Sequence, residues 1–409
     1  MPSPINTGSI SLPYNGKKMK KLPPLFLIYF ICFSVSHGVP GIIPLLPTFQ
    51  QEFALNSYEV ANCLAYFSYS ALIATPFMGF FYNKVSKKFF IYCINCIYLT
   101  GIVGISFSSE FSELLIFRIV QGIGSAGINL LVNILPAEYY RGLKRGRIMG
   151  KSNGIIALGL FFNPLVTGFL ALYSWRFSIF YLYLPTCFTL LILTFTDLTE
   201  KFSHPHSPFS FAQIKEILKT PLIFILFASL FLTAGLDLSL PSIFALFTAD
   251  TYGYDSSTIG LFYSAANLGM FISSFFFLSR LLPSKKFPQI LLCCCLCTTS
   301  ILLFFTALPI AVGFMAFFAY FCLSGIIIPY CNFSISTAIP VQLITLGFTV
   351  SATVFRAGQG METAFLAFIA NEFGYETAFA LTGSLLFVVA LLLLLFNKKK
   401  NQRSFQLSE

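Results

Sequence analysis

Residues 220–245 read TPLIFILFASLFLTAGLDLSLPSIFA, an apolar run in which Asp237 is the single ionisable side chain. At a helical rise of 1.5 Å per residue, such a run is long enough to cross a hydrocarbon core of about 30 Å. Of the 409 residues in the chain, 56% are hydrophobic and only 10% are charged, which excludes an ordinary soluble protein. The run therefore predicts a membrane-spanning helix.

Similar runs recur along the whole chain and predict an all-α polytopic membrane protein with twelve transmembrane helices. Four lysines precede the first run, but that run is too long for a cleaved signal peptide, so we expect an uncleaved first helix. The predicted spans are 24–47, 57–82, 89–108, 112–135, 149–172, 176–196, 220–245, 257–282, 287–308, 311–335, 345–370 and 376–397.

Charged residues predict the orientation, because Lys and Arg in short loops stay on the cytoplasmic side. Most of the 25 Lys and Arg residues fall in the two terminal segments and in every second loop. The opposite loops and helix ends carry acids, namely Glu52, Glu59, Glu110, Glu113, Asp250, Asp255, Glu372 and Glu376. We therefore expect both termini in the cytoplasm and the protein in a bacterial inner membrane. The net charge of +10 then reflects topology and predicts no nucleic-acid partner.

A polar stretch over residues 198–219 divides six predicted helices from six. It predicts an N-terminal bundle over 1–197, a central cytoplasmic loop over 198–219 and a C-terminal bundle over 220–409. Features of one half recur in the other at nearly constant offset, which is typical of internal repeats in transporters. The matches are Gly38 and Pro44 with Gly235 and Pro241, Ser86-Lys87-Lys88-Phe89 with Ser284-Lys285-Lys286-Phe287, and Gly159 with Gly360.

The loop after the second span reads GFFYNKVSKK over residues 79–88. It resembles the loop signature of major facilitator transporters in Gly79, Lys84, Lys87 and Lys88, while Asn83 replaces the acid of that signature. The resemblance implies a major facilitator fold, with twelve transmembrane helices in two six-helix pseudo-repeats. It also implies a conformational latch, in which loop cations pair with neighbouring helix ends in one state and release them in another. The alternative is a basic loop that only sets orientation.

The fourth predicted helix contains RIVQGIGSAG over residues 118–127, similar to the Arg-x-x-x-Gly motif of the same family in Arg118 and Gly122. The resemblance implies a role for Arg118 in proton transfer. The alternative is an arginine that extends to the membrane surface. The spacing GxGxxG over 122–127 also matches a dinucleotide fingerprint, but no strand precedes it, and small residues in a membrane helix favour close packing.

The fifth predicted helix contains GLFFNPLVTG over residues 159–168. It resembles the antiporter signature of the twelve-helix drug/proton antiporter (Bcr/CflA-like) branch in Gly159 and Pro164, with Asn163 in place of a glycine. Glycines would let helices five and eight slide past each other, and Pro164 would bend the helix. The motif therefore indicates a rocking bundle.

Ionisable residues inside membrane spans are candidates for the substrate and proton pathway, because they persist only beside water or a partner. The candidates are His37, Asp237, Arg356, Gln359 and Glu362, together with Arg118. On the eleventh helix the last three form a polar stripe about 120° wide. We rank Asp237 and Glu362 first as proton carriers and His37 second. The alternative is an ion pair of Arg356 with Glu362 or Asp237 that only holds helices together.

These features predict a secondary active transporter that alternates access around a midplane site. Our first hypothesis is proton-coupled export of a drug-like compound or a metabolite such as a siderophore. The alternatives are proton-coupled uptake of an organic anion or nutrient and, from another class, a transporter-like membrane receptor. We expect a monomer in the lipid bilayer with a small-molecule substrate and protons as partners. No enzymatic activity, cofactor or metal site is expected, since the chain shows no cluster of nucleophile, base or metal ligands.

Overall fold

The computed structural model describes residues 24–82, 84–140, 142–196, 198, 220–274, 298, 309–338 and 344–406. A 3₁₀ turn, Ile43–Leu45, lies between the first two helices. The helices are α1 Pro24–Val35, α2 Leu46–Glu52, α3 Ser57–Tyr82, α4 Lys87–Phe107, α5 Phe111–Tyr139, α6 Gly142–Ala171, α7 Trp175–Phe195, α8 Pro221–Tyr252, α9 Ser256–Ile272, α10 Ile310–Ala338 and α11 Ile344–Gln406.

The predicted all-helical membrane architecture is confirmed. Within the described residues, eight helices are long and apolar enough to cross a membrane. The span predicted over 57–82 has the same bounds in α3. The ninth predicted span, 287–308, lies outside the described residues except for Thr298. Residues 275–282 of the eighth predicted span, the basic residues Lys285 and Lys286, and most of the central loop also lie outside them.

The first predicted span, 24–47, is wrong as one continuous helix. Helix α1 ends at Val35, and turns follow until the 3₁₀ turn at Ile43. The cause lies in the sequence SHGVPGIIP over residues 36–44, because proline lacks an N–H donor and restricts the residue before it, while glycine weakens a helix. His37, predicted within a helix, therefore lies in this break, where backbone carbonyl groups are free to accept other hydrogen bonds.

Helix α11 contains two predicted spans, 345–370 and 376–397. Residues 371–375 between them belong to the same helix and form no separate loop. Gly374 is the residue at which its backbone leaves the helical conformation, with φ 85° and ψ 164°. A side chain would be strained at this positive φ, so the corner needs glycine.

The bundle has two ends of opposite charge. We call the end with Glu52, Glu110 and Asp255 the acidic end and the end with Lys84 and Lys87 the basic end. Asp255 is the N-cap of α9 and accepts a hydrogen bond of 2.9 Å from the Thr258 amide. Hydrogen bonding from Thr258 lowers the pKa of Asp255 below its ordinary value. At this end short capped connections join the helices.

Several contacts at the acidic end join the first six predicted spans to the last six. The Thr48 and Ser256 hydroxyl oxygens are 2.7 Å apart, and the Ser57 and Tyr375 hydroxyl oxygens are 3.1 Å apart. The Tyr375 hydroxyl also donates a hydrogen bond to the Asp250 carboxylate. These contacts hold the two halves together at the acidic end.

Candidate substrate and proton site

Asp237 on α8 and Glu362 on α11 are two carboxyl groups inside the bundle, and Glu362 packs against Gly235 of the helix that carries Asp237. The Tyr320 hydroxyl, on α10, donates a hydrogen bond of 2.7 Å to Asp237 and is 3.1 Å from the Thr233 carbonyl oxygen. Asp237 is partly buried and Tyr320 is fully buried. The two residues that the sequence ranked first thus lie on helices that pack against each other, α8 and α11.

The Glu362 carboxyl lies directly over Gly235 of α8. A Cβ atom at position 235 would overlap both the carboxyl carbon and an oxygen of Glu362, so only glycine leaves room for it there. The side chain is 6% exposed, and neither carboxyl oxygen has a hydrogen-bond partner in the part of the chain that the structure describes. Burying an ionised carboxylate without a partner is costly. The geometry therefore suits a group that carries a proton while it is buried.

Arg118 on α5 is fully buried and does not extend to the membrane surface. Its Nε atom donates to the Cys63 carbonyl oxygen at 2.8 Å, and its Nη1 atom donates to the Gly38 carbonyl oxygen at 3.0 Å and to the Gln121 side chain. The Gly38 carbonyl is available because the chain is not helical there. The interpretation of Arg118 as an interfacial side chain is therefore wrong.

Arg356 and Gln359 interact with each other on α11. Arg356 Nη1 donates to Gln359 Oε1 at 2.9 Å, and Arg356 Nη2 donates to Ser125 Oγ of α5 at 3.1 Å. Within the described part of the chain, neither Asp237 nor Glu362 forms an ion pair with Arg356. The alternative of an ion pair that only joins helices is thus wrong for these residues.

His37 belongs to a separate polar cluster with α6 and α7. Its Nδ1 atom is 2.8 Å from the Phe33 carbonyl oxygen, which requires an N–H at Nδ1. Nε2 is buried and has no hydrogen-bond partner. Asn163 donates to the Ser36 carbonyl oxygen at 2.9 Å and accepts from the Tyr181 hydroxyl at 2.9 Å. Asn163 therefore holds the break after α1 in place.

The basic loop between α3 and α4 contacts neighbouring helix ends. Lys87 forms an ion pair of 2.6 Å with Glu138 near the end of α5, and the Tyr82 hydroxyl donates to the same carboxylate at 2.8 Å. Lys88 donates to the Thr194 carbonyl oxygen near the end of α7 at 3.3 Å, and the Lys84 ammonium lies 4.0 Å from the centre of the Phe80 ring. Asn83 lies outside the described residues. This arrangement can serve as a latch.

We expect Lys87 and Glu138 to stabilise each other measurably, because both side chains are about nine-tenths buried and removing one leaves the other charge uncompensated. In a double-mutant cycle with Lys87→Gln and Glu138→Gln, thermal unfolding of the purified protein should give a coupling free energy of about 1 kcal/mol or more. Lys84→Gln, which removes an exposed lysine whose ring contact is with Phe80 of the preceding helix α3, is the control. Additive effects of the two substitutions would contradict the latch.

The motif glycines have different surroundings. A Cβ atom at Gly122 would overlap the Phe67 carbonyl oxygen of α3, and one at Gly159 would overlap the Ser36 hydroxyl, whereas one at Gly79 would meet no atom within 4 Å. Gly122 and Gly159 are therefore needed for close helix packing, and Gly79 is not. Pro164 lies inside α6, and its carbonyl oxygen contacts α9 at Gly260.

Sequence reasoning did not identify Tyr320, Phe67 or Glu138. Tyr320 and Phe67 carried no distinguishing signal in a chain with 19 tyrosines and 51 phenylalanines. Glu138 could have been found, because it is one of few acids close to the positively charged loops.

Comparison with known proteins adds independent information. The sequence profile of the Major Facilitator Superfamily matches residues 25–361. The chain is 26% identical over 246 residues to the quinolone resistance protein NorA of Staphylococcus aureus strain MSSA476, covering 58% of this chain and 61% of that protein. It is 29% identical over 214 residues to the MFS-type transporter ppz2 of Metarhizium majus strain ARSEF 297, covering 50% and 35% respectively. Each match thus spans less than two thirds of the relative.

The fold is also shared with solved structures. The structure of the human organic anion transporter MFSD10 superimposes with a TM-score of 0.71 over 90% of this chain and 98% of that one. The sequence identity is 14%, so this similarity concerns the fold alone.

Proposed function

Because the chain belongs to the Major Facilitator Superfamily, and is therefore a multi-pass membrane transporter, we propose that it exports a drug-like compound or metabolite in exchange for protons. The carboxyl groups of Asp237 and Glu362 carry this proposal. They lie inside the bundle, and no cation neutralises Glu362 among the described residues. The similarity to a quinolone resistance protein supports export as the direction.

In this proposal Glu362 binds a proton while it is buried against Gly235 and releases it when the site opens to water on the cytoplasmic side. Water stabilises the ionised carboxylate, which the bundle interior does not. The charge of Asp237 acts on Glu362 and repels a second negative charge in this region, so it favours the protonated form of Glu362. Tyr320 holds Asp237 in position by its hydrogen bond of 2.7 Å.

Alternating access then requires the hydrogen bonds at the acidic end to break while contacts form at the basic end. With both termini in the cytoplasm, the acidic end faces outward, and the contacts of Thr48 with Ser256 and of Ser57 with Tyr375 close the outer side. Hydroxyl contacts of this kind are individually weak, since each contributes about 1 kcal/mol. Substrate and proton binding can therefore shift the equilibrium between the two states.

The proposal can be tested before the substrate is identified. Metabolites inside and outside cells with and without the protein are compared, with the proton gradient intact and after its dissipation by a protonophore. We expect at least one compound to be enriched outside only when protein and gradient are both present. An outward enrichment that survives loss of the gradient would contradict proton coupling.

Uptake of an organic anion is a second candidate, favoured by the buried side chains of Arg118 and Arg356. Guanidinium groups bind carboxylates by paired hydrogen bonds. The same comparison separates the candidates, because uptake would enrich a compound inside the cells that contain the protein and export would enrich it outside.

A further inference from the structure

Two buried arginines from different halves converge on one aromatic ring. The guanidinium carbon of Arg118 lies 4.5 Å from the centre of the Phe67 ring, and that of Arg356 lies 5.6 Å from it. Both are within the roughly 6 Å at which a cation and an aromatic ring attract each other. Arg118 is fully buried and Arg356 is 8% exposed. Two positive charges therefore share one small region inside the bundle.

No acid among the described residues neutralises this pair. The hydrogen-bond partners of Arg118 are two carbonyl oxygens and Gln121, and those of Arg356 are Gln359 and Ser125. All of them are uncharged. Burying one unpaired charge in a membrane protein is costly, and two like charges in proximity repel each other in addition. The region thus carries an excess positive charge that an anion would offset.

The same region contains hydrogen-bond donors that are not used. Arg118 Nη2 is buried and has no hydrogen-bond partner among the described residues. The Gln121 side chain lies beside the Tyr98 hydroxyl, but Gln121 Nε2 and this hydroxyl form no well-aligned hydrogen bond with any described residue. The Tyr98 hydroxyl and the Phe67 ring both lie next to Gly38, whose carbonyl oxygen accepts from Arg118. Buried polar groups are normally satisfied, so a cluster of unused donors indicates a missing acceptor. Excess positive charge and unused donors, two separate observations, point to the same kind of ligand.

We infer that Arg118 and Arg356 bind the anionic group of the transported compound, and that this group is a carboxylate on an aromatic or apolar body. A guanidinium fork matches a carboxylate by two parallel hydrogen bonds. Phe67 and Tyr98 give the rest of the ligand an aromatic surface. A carboxylate carries a single charge and is less costly to desolvate than a doubly charged phosphate. This inference rests on the proposed transport function and names its substrate class.

The position of the site explains how binding reaches the proton carrier. Arg356 and Glu362 lie on the same helix, α11, and the hydrogen bond from Arg356 to Ser125 joins the two halves. A carboxylate between the arginines competes with Ser125 for Arg356. Anion binding therefore loosens a contact between the halves and acts on the helix that carries the proton.

The test measures the thermal unfolding midpoint of the full chain in lipid nanodiscs, without a proton gradient. Benzoate is the carboxylate probe, benzamide is its uncharged counterpart, and inorganic phosphate is the competing anion. We expect benzoate to raise the midpoint more than either of the others, because a ligand that binds the folded state stabilises it. Arg356→Gln should weaken the apparent affinity for benzoate by at least about tenfold.

Arg356→Gln is the informative variant, because Arg118 also holds two backbone carbonyls and its loss can affect folding. Arg356→Lys, which keeps the charge but not the fork, should retain part of the effect. Arg176→Gln, which removes an arginine at the acidic end, is the matched control and should bind benzoate normally. Equal shifts with benzoate and benzamide, a larger shift with phosphate, no shift with benzoate, or an undiminished shift in Arg356→Gln would each overturn the inference.

This measurement is separable from the test of proton coupling. Benzoate binding that depends on Arg356 without proton-driven transport would refute the coupling and keep the site. Coupled transport without such binding would refute the site and keep the coupling.

Discussion

Replacing Glu362 with Gln should abolish proton-driven transport while the protein still folds. Gln has nearly the same shape as the protonated carboxyl that the space over Gly235 accommodates, but it cannot release a proton. We expect a loss of about a hundredfold or more in transport driven by a pH gradient, since only uncoupled leak remains. The measurement uses inverted membrane vesicles and the compound found in the metabolite comparison.

Asp237→Asn should give a similar loss, because asparagine has neither a proton to release nor the charge that acts on Glu362. Glu376→Gln is the matched control, since Glu376 lies on the same helix as Glu362 and is exposed. Its transport should equal that of the unaltered protein. Proton-dependent efflux that is unchanged in both Asp237→Asn and Glu362→Gln would refute the assignment of the proton carriers.

Alanine substitutions at Gly260 and Gly154 should affect stability in opposite directions. Gly260 of α9 lies against α6, where a Cβ atom would overlap the Pro164 carbonyl oxygen and approach Gly168. The obstructing atoms belong to the backbone, so they cannot rotate away. We expect Gly260→Ala to lower the free energy of unfolding by about 1–3 kcal/mol and to slow transport at least tenfold.

Gly154 lies on α6 with no atom within 4 Å of the position of an added Cβ. Gly154→Ala should therefore raise the stability by up to about 1 kcal/mol, because alanine favours a helix more than glycine does. Thermal unfolding and vesicle transport of both variants provide the comparison. If Gly260→Ala were as stable and as active as Gly154→Ala, close contact between α6 and α9 would not be required.

The sequence predicted the parts of the fold that depend on local composition. The run over 57–82 was predictable as helix α3, because an apolar run of this length is enough to identify a membrane span. The break after Val35 was not predicted, although Gly38 and the prolines near it contained the signal, because hydropathy averages over such residues. Hydropathy therefore locates a span but not an interruption within it.

The site was only partly predictable, because its contacts join residues that are distant in sequence. Asp237 and Glu362 stood out as rare acids inside spans, and the structure packs Glu362 against Gly235 of the helix that carries Asp237. The position of Phe67 between Arg118 and Arg356 depends on how α3, α5 and α11 pack. This packing depends on close approaches between helices, such as the one at Gly122. A sequence pattern does not show which helices approach each other.

The corner at Gly374 has a consequence for biosynthesis. Arg356 and Glu362 make the segment before it difficult to insert, at a cost of about 2.5–3.5 kcal/mol for an arginine near a helix centre. Residues 377–397 after the corner carry no charge. Because one non-helical glycine joins the two segments, we expect them to leave the translocation machinery as a hairpin. The apolar second segment then offsets the insertion cost of the polar one. Arg356 and Glu362 therefore enter the membrane together with the apolar helix that follows them.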